Sequence, residues 1–240
     1  MPIESDHRGS DSPYVARVWR GRTSGVGRMT SIATSTWELV FWEQQGVIHA
    51  AVRGPETTAS SAETMGDSES FGIIFAHGTS MPHLPIGALV DSGCGSPHVT
   101  ERTFLLRDEE WRIPDFDDAE LLVEKLVRAG VLVRDPLVDE VVWGGAARVG
   151  SRTVQRRVAA ATGLTQGAIR QIERAREAAV LLGAGVPALD LVHRLGYYDQ
   201  PHLARSLQRF IGRTATQLRQ PDPTADSLSL LYKPENPASS

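Results

Sequence analysis

Near its C-terminal end the chain carries one helical sequence pattern twice. Residues 152–170 (RTVQRRVAAATGLTQGAIR) align with residues 201–219 (PHLARSLQRFIGRTATQLR) at a constant offset of 49 residues. The aligned pairs with the same residue type are Gly163 with Gly212, Thr165 with Thr214, Arg156 with Arg205, and Arg170 with Arg219. Apolar positions also correspond. A helix end, a helix cap, an apolar face and an arginine rarely coincide by chance, so the alignment predicts two copies of one supersecondary unit.

Charge is unevenly distributed along the 240 residues, whose formal net charge is −4. Residues 1–135 contain 12 Lys and Arg against 20 Asp and Glu, a net charge of −8. Residues 136–220 contain 12 Arg against 6 Asp and Glu, a net charge of +6. A basic segment attracts phosphate whatever the charge of the whole chain. The repeated unit therefore lies in the part of the chain that suits a polyanionic partner.

Cysteine content and hydropathy exclude several classes of protein. The single cysteine, Cys94, rules out an internal disulfide and is typical of a reducing compartment. The N-terminal residues lack the apolar region of a signal peptide. The longest apolar stretch, residues 178–189, is too short to span a membrane. We therefore expect a soluble, cytoplasmic protein with no membrane partner.

The overall pattern predicts an α+β protein with two domains. Residues 1–12 are polar and residues 221–240 are rich in Pro and Ser, and both segments are expected to be disordered tails. Residues 13–135 contain short β-branched and aromatic runs, such as WELVFW and FGIIFA, separated by turn residues. This pattern favours an antiparallel β barrel or sandwich, followed by a linker helix that ends at Gly130. Residues 136–220 are expected to form an all-α domain.

Helix signals within the all-α domain predict a helix-turn-helix. A first helix is expected over residues 188–195, and Gly196 supplies the sharp turn after it. Asp199 is the expected N-cap of a second helix over residues 200–210. The earlier copy predicts an equivalent second helix over residues 151–162. Its expected cap is Ser151, its expected end is Gly163, and Thr165 is the expected cap of the long helix that follows.

Hydrogen-bonding side chains are concentrated on the exposed side of both second helices, which is the part that enters the major groove in this motif. The expected base contacts are Arg152, Thr153, Gln155, Arg156, Gln200, His202 and Arg205. Arginine suits guanine O6 and N7, and glutamine suits adenine N6 and N7. The expected phosphate contacts are Arg157, Arg170, Arg209 and Arg219. The alternative is that these arginines are simply solvated surface residues. That interpretation would be sufficient for one such helix, but it does not explain why two helices carry the same pattern 49 residues apart.

The stretches RTVQRRVAAATG, IRQIERAREAAVLL and LGYYDQPHLARSLQRFIGRTATQLR resemble the AraC/XylS family of bacterial transcription regulators. The resemblance covers residues 137–220 and is most specific over residues 196–212, with the motifs G-Y-x-D-Q-x-H-L-x-R-S and F-x-G-R-T. It implies a sequence-specific DNA-binding regulator with two helix-turn-helix units joined by a long helix. Their recognition helices would enter successive major grooves roughly 34 Å apart. By the same resemblance, base contacts fall on Arg152, Gln155, Arg156, Gln200, His202 and Arg205.

The resemblance also implies a cupin-like domain over residues 13–135 that senses an effector or mediates dimerisation. Double-stranded DNA is the implied partner, and RNA polymerase, a small-molecule effector and a second copy of the chain are further candidates. The sequence departs from the family pattern in two places. The segment between Trp143 and Ser151 is too short for the usual scaffold helix of the first unit, so residues 136–143 are expected to replace it. Ala215 stands where the family often has proline.

We expect no catalytic residue, metal or cofactor, and therefore no enzyme. The candidate metal ligands His77, His83, Cys94 and His98 do not follow the spacing of a known metal site. Most of the strand tryptophans are expected in the core, with an effector pocket as the alternative: Trp19, Trp37, Trp42 and Trp111. Two rival hypotheses remain. One is a barrel enzyme or metal-binding protein with an accessory DNA-binding domain, and the other is a non-specific architectural DNA binder.

Overall fold

A computed structural model describes residues 3–146, 149–220 and 226–229, and shows an N-terminal antiparallel β region followed by a C-terminal helical region. The strands are β1 (Ile3–Arg8), β2 (Val15–Thr23), β3 (Val26–Ser31), β4 (Glu38–Gln44), β5 (Val47–Arg53), β6 (Ser60–Met65), β7 (Ser68–Phe75), β8 (Thr79–Ser80), β9 (Gly93–Gly95), β10 (Thr103–Leu106), β11 (Glu109–Arg112), β12 (Val133–Arg134) and β13 (Ser227–Leu228). The helices are α1 (Ala119–Arg128), α2 (Pro136–Val142), α3 (Ser151–Thr162), α4 (Gln166–Gly183), α5 (Ala188–Arg194), α6 (Gln200–Phe210) and α7 (Ala215–Arg219).

The largest β-sheet of the described residues has six strands in the order β1-β2-β7-β4-β5-β9, and all neighbours are antiparallel. Successive side chains of a strand point to opposite faces of the sheet. In β4, Leu39 and Phe41 therefore join the hydrophobic core, whereas Glu38, Val40 and Trp42 face a cavity on the other side. The sheet thus has one core face and one cavity face.

The core face packs against α1 and a short 3-10 helix, Ile86–Leu89. Trp37 stacks on Phe75 with ring centroids 4.0 Å apart, and the buried Leu126 of α1 belongs to the same cluster. Burial of each such side chain contributes about 1.5–3 kcal/mol. Helix α1 is followed by Gly130, whose φ of +69° favours glycine. The predicted linker helix is therefore part of the β region's core.

The N-terminal residues differ from the predicted disordered tail. Residues 3–8 form β1, which pairs with β2 at the edge of the six-stranded sheet. At the end of β1, two nitrogens of the Arg8 guanidinium donate to the Glu120 carboxylate of α1, each at 2.7 Å. These hydrogen bonds lower the pKa of Glu120 to about 2. Backbone pairing and this ion pair hold the segment in place. Its polar sequence did not predict a strand, because backbone hydrogen bonds at a sheet edge do not require an alternating apolar pattern.

The second predicted tail, residues 221–240, lies mostly outside the described residues. Its described part includes β13, which pairs in parallel with β3, so residues 227–228 are ordered rather than disordered. Strand β3 also pairs with β6 in antiparallel register. The small β13-β3-β6 sheet lies across the cavity from the six-stranded sheet, since residues of both sheets line that cavity.

The helical region is built around α4, whose buried side chains contact the other helices. The same hydrophobic cluster includes Ile32 and Ala33, which follow β3 in the β region. The backbone N–H of Ala33 donates to the carbonyl of Phe210 at 2.8 Å, and that of Ala59 donates to the carbonyl of Arg209 at 2.8 Å. The end of α6 is therefore bonded directly to the β region, and the two predicted domains share a packed interface.

Helix boundaries repeat at the offset of 49 residues. Helix α3 begins at Ser151 and α6 at Gln200, and the glycines after them, Gly163 and Gly212, have φ of +72° and +71°. Thr165 and Thr214 both accept a hydrogen bond from the backbone N–H three residues later, as predicted for helix caps. The predicted Ser151 cap is wrong. The N-cap of α3 is Gly150, which has no side chain to accept such a bond.

No helix in the described residues combines the length and the apolar character needed to cross a membrane.

Candidate DNA-binding surface

Helices α5 and α6 form a helix-turn-helix that is fixed to α4. Gly196 adopts a φ of +67° in the turn, and the buried Tyr197 ring follows it, with its hydroxyl 3.2 Å from Ser206 Oγ. The Arg174 guanidinium of α4 lies 4.4 Å from the centre of the Tyr197 ring and donates to the Gly196 carbonyl at 3.2 Å. Cation–π contact and hydrogen bond together hold the turn, and with it the start of α6, in a fixed position on α4.

Helix α6 buries an apolar face and exposes a polar one. Leu203, Leu207 and Phe210 are buried in the helical core. Gln200, Arg205 and Arg209, predicted to contact DNA, are exposed. The apolar spacing at i, i+4 and i+7 is that of an amphipathic helix, so burial of one face directs the other face outwards.

His202, another predicted base contact, is half-buried. Its Nδ1 accepts a hydrogen bond from the Tyr198 backbone N–H at 3.3 Å, and its ring lies edge-on to that of Tyr197. With Nδ1 accepting, a neutral imidazole carries its proton on Nε2. His202 can therefore offer one N–H donor to a partner while its other nitrogen fixes the turn.

Helix α3 has the same division. Val154 and Val158 are buried, whereas Arg152, Gln155 and Arg156 are exposed and Thr153 is half-buried. These four polar side chains line a groove of about 890 Å³ together with residues 165–167 at the start of α4. The structure thus brings the predicted base contacts of the first copy to one side of α3.

Helix α2, which was predicted to replace the usual scaffold helix, contacts α3. Its buried Val138, Val141 and Val142 pack in one cluster with the buried face of α3. The side-chain amide of Gln166 also donates to the Val141 carbonyl at 2.5 Å, which ties α2 to the start of α4. Residues 143–150 connect α2 to α3, so this connection is longer than the turn of three or four residues in a usual helix-turn-helix.

The predicted phosphate contacts divide into two groups. Arg170, Arg209 and Arg219 are exposed. Arg157 differs, because its Nε donates to Asp135 Oδ2 at 2.5 Å and its second nitrogen donates to Oδ1 of the same carboxylate. Asp135 is also the N-cap of α2 and accepts from the Leu137 N–H. Arg157 therefore holds α3 to the start of α2, a role that sequence alone did not predict.

Charge on the helical surface is strongly positive. Among the described residues of this region, the exposed arginines are Arg152, Arg156, Arg170, Arg194, Arg205, Arg209 and Arg219. Among the same described residues, the only exposed carboxylates are those of Glu140 and Asp190. The other charged side chains are buried or half-buried, as in Arg176, Glu173 and Asp139. Folding thus places most of the unmatched positive charge on the surface, where it attracts phosphate.

The candidate metal ligands lie in different surroundings. His77 is buried between the β region and the helices, with Nε2 2.7 Å from Ser35 Oγ, whose hydroxyl donates to Glu173. His83 and Cys94 border a small cavity of about 150 Å³, and His98 is exposed. Within residues 3–146, 149–220 and 226–229, no group of three or more His, Cys, Asp and Glu could hold a metal ion.

The four strand tryptophans occupy two different environments. Trp37 is buried in the core, and its indole N–H donates to the Thr79 carbonyl at 2.8 Å. Trp111 is half-buried and packs against the same core. Trp19 and Trp42 instead line the cavity between the two sheets. The sequence did not distinguish the core tryptophans from the cavity tryptophans. Alternation along a strand shows that two faces exist, but not which face packs against the core and which lines a cavity.

Comparison with known proteins identifies the helical region. Residues 143–221 match a family model described as a helix-turn-helix domain, which is of the AraC type. No curated protein and no solved structure matches the chain. The fold and this match define a DNA-binding transcriptional regulator of the helix-turn-helix class. This match supports the resemblance of residues 137–220 to the AraC/XylS family that the sequence motifs indicated. The match leaves out α2 and the β region.

Proposed function

We propose that α3 and α6 are two recognition helices that enter successive major grooves on one face of a DNA duplex. The observation that carries this proposal is that both helices expose arginine and glutamine, with Arg156 and Arg205 at equivalent positions of the repeat, and bury their apolar faces against one core. Both also contact α4. A single long helix between them would fix their spacing to the roughly 34 Å repeat of the groove.

Base contacts are proposed for the side chains on the exposed faces. They are Arg152, Thr153, Gln155 and Arg156 on α3, and Gln200, His202 and Arg205 on α6. The arginines can donate two hydrogen bonds to guanine O6 and N7, and the glutamines can pair with adenine N6 and N7. Nε2–H of His202 can donate to an acceptor such as guanine O6 or thymine O4. These contacts would supply selectivity.

Phosphate contacts are proposed for Arg170, Arg209 and Arg219, whose exposed guanidinium groups fix the position of the protein on the duplex without reading sequence. A phosphate contact of Arg157 would have to displace the Asp135 carboxylate. We therefore assign the main electrostatic contribution to the other three arginines.

The β region is proposed to sense a small-molecule effector, since a cavity of about 430 Å³ lies between the six-stranded sheet and the β13-β3-β6 sheet and reaches the helical region. A cavity of this size suits a small organic ligand. The cupin-like architecture, a homodimer and a contact with RNA polymerase belong to the same proposal through the family. The chain would then act as a regulator and not as an enzyme.

The base-contact proposal is tested with Arg205→Ala and Arg209→Ala, two exposed arginines on the same helix. The cognate sequence is first selected from a genomic DNA pool. Arg205→Ala is expected to cost roughly 1–3 kcal/mol on cognate DNA and to relax the preference at one base pair. Arg209→Ala is expected to weaken cognate and random DNA equally and to reduce the slope of log K against log salt by about one. Equal losses on both DNAs for Arg205→Ala would contradict a base contact.

A further inference from the structure

The cavity between the two sheets has largely apolar walls. Trp19 of β2, Val40 and Trp42 of β4 and Ile74 of β7 line it from the six-stranded sheet, and Met29 of β3 lines it from the small sheet. Its volume of about 430 Å³ is that of a site for a small organic molecule. Two indole rings in one apolar cavity favour a ligand with a flat body, because aromatic faces bury large areas against flat groups.

Of the described residues, Glu38 and Glu56 are the carboxylates that line this cavity, and Glu56 is paired with Arg53. Glu38 Oε2 accepts a hydrogen bond from the Trp19 indole N–H at 2.8 Å. Burial raises the pKa of Glu38, an effect that the charge of Arg53 opposes and that of Glu56 reinforces. No lysine or arginine of the described residues makes an ion pair with Glu38. A carboxylate removed from water in this way gains most from a positive partner at short range.

The other charged groups that line the cavity are engaged elsewhere. Arg53 pairs with Glu56 at 2.8 Å, and the second oxygen of Glu56 accepts from Ser31 Oγ at 2.6 Å. Arg176, which is only 2% exposed, donates to the Ala33 carbonyl at 2.9 Å. Glu38 therefore remains the acidic group that a ligand in the cavity would meet.

We propose that this cavity binds a small organic cation with a flat apolar body, held by the Glu38 carboxylate and the indole faces of Trp19 and Trp42. The chemistry is that of an aromatic site for ammonium groups, in which the ring faces attract the cation and the carboxylate neutralises it. A neutral ligand of the same shape would leave Glu38 without a counter-ion, and an anionic one would be repelled. The inference deepens the effector-sensing part of the proposed function and rests on it.

The cavity also reaches the DNA-binding helices. Arg176 belongs to α4 and lines the cavity, and its hydrogen bond to Ala33 joins α4 to the β region. Ile32, beside Ala33, lines the cavity and packs in the helical core at the same time. A ligand there contacts the helix that positions α3 and α6. Such contact couples ligand affinity to DNA affinity whenever the ligand favours one placement of α4, and the coupling is reciprocal.

The ligand class is tested by calorimetry on the full chain with three probes that share an indole body: tryptamine, which is cationic, tryptophol, which is neutral, and indole-3-acetate, which is anionic. Tryptamine is expected to bind at least about tenfold more tightly than the other two, a difference of about 1.4 kcal/mol. Glu38→Gln keeps an oxygen for the Trp19 N–H, and is expected to remove the preference for tryptamine while tryptophol still binds.

Glu43→Gln is the matched control, because Glu43 lies on the same strand but is exposed and outside the cavity. This variant is expected to bind all three probes as the parent protein does. Equal affinity for the three probes, preference for the anion, or no binding of any probe would overturn the proposed ligand class. Loss of tryptophol binding together with tryptamine binding in Glu38→Gln would also overturn it, since the carboxylate charge would then not be the determinant.

The coupling is tested by measuring DNA affinity with and without saturating tryptamine, and tryptamine affinity with and without DNA. Both are expected to change by the same factor, about fivefold or more. Tryptamine binding with no change in DNA affinity would overturn the link to α4. Selective DNA binding without ligand is measured separately, so failure of the base-contact proposal and failure of the ligand proposal give different results.

Discussion

At the scale of single residues, neighbouring side chains at the start of α6 have separate roles. Asp199 caps the helix by accepting the His202 backbone N–H at 2.7 Å, whereas the next residue, Gln200, is exposed and points away from the core. The sequence predicted both positions, because capping is a local interaction between residues three apart. We therefore expect Asp199 to affect the stability of the protein and the adjacent Gln200 to affect its selectivity for DNA.

Asp199→Ala is expected to lower the free energy of unfolding by about 0.5–2 kcal/mol, because an N–H at the helix start loses its acceptor. Gln200→Ala is the control and is expected to change stability by less than about 0.5 kcal/mol while weakening selectivity for cognate DNA. Urea denaturation and competition binding measure the two effects. A stability loss in Gln200→Ala as large as that in Asp199→Ala would show that the helix start depends on packing and not on the cap.

Arg156 and Arg157 are adjacent in the sequence, but only one of them has the surroundings that the sequence predicted. Both were predicted to contact DNA, and both follow the helical pattern. Arg156 is exposed, but Arg157 is paired with Asp135, which lies 22 residues earlier in the chain. One step along a helix rotates a side chain by about 100°, so adjacent arginines meet different neighbours. The neighbour itself is set by tertiary packing.

At the scale of elements, the repeat gave the helix boundaries of both copies because glycine ends and threonine caps are local signals. The glycines around these helices differ in their packing. A Cβ on Gly163 would lie 2.8 Å from the Cα of Gly87 and from Val90 Cγ2, whereas one on Gly212, its counterpart in the second copy, would lie 3.0 Å from Thr30 Cγ2. A Cβ on Gly196, in the turn between α5 and α6, would meet nothing within 4 Å. This difference could not be predicted from the sequence, because Gly87 is distant from Gly163 in the chain.

Gly196→Ala is expected to cost roughly 1–2 kcal/mol, the strain of a non-glycine residue in the left-handed region. Gly163→Ala is expected to cost more, because the same strain is joined by a clash with the backbone of the 3-10 helix. Chemical denaturation of the two variants gives the comparison. Equal losses would mean that the contact between the end of α3 and the 3-10 helix relaxes without cost.

At the scale of the whole molecule, the helical region is docked on the β region through buried polar contacts. The Ser35 hydroxyl donates to Glu173 of α4, so His77 Nε2–H donates to Ser35 Oγ in turn. Trp143 lies edge-on to the His77 ring with centroids 5.8 Å apart. Burial lowers the pKa of His77, although the charges of Glu173 and Asp139 oppose the change. The imidazole at this interface is therefore held in its neutral form.

Stability should depend on pH through this histidine. The folded protein holds His77 at a lower pKa than the unfolded chain, so the unfolded state takes up the proton first as the pH falls. Stability is complete above the unfolded pKa of about 6.5 and falls as the pH drops from there towards the folded pKa. The slope from one histidine is at most about 1.4 kcal/mol for each pH unit.

His77→Gln is expected to flatten the decrease in unfolding free energy between about pH 7 and pH 5, because glutamine can donate to Ser35 but does not titrate. His98→Gln, at an exposed position, serves as the control and is expected to keep the slope of the parent protein. Urea denaturation at several pH values measures the slopes. A variant with an unchanged slope would show that His77 does not control this part of the pH dependence.

Sequence alone determined the local parts of the protein: the helix boundaries, the Thr and Asp caps, the apolar faces of α3 and α6 and the polar side chains opposite them. Each of these depends on residues within about one or two helical turns. Tertiary structure decided the pairing of β1, the partner of Arg157, the placement of Trp19 and Trp42 on the cavity face, and the contact of Arg176 with Ala33. That last contact joins residues 143 positions apart, and which distant groups meet is fixed by how whole faces pack, not by the spacing of residues within a segment.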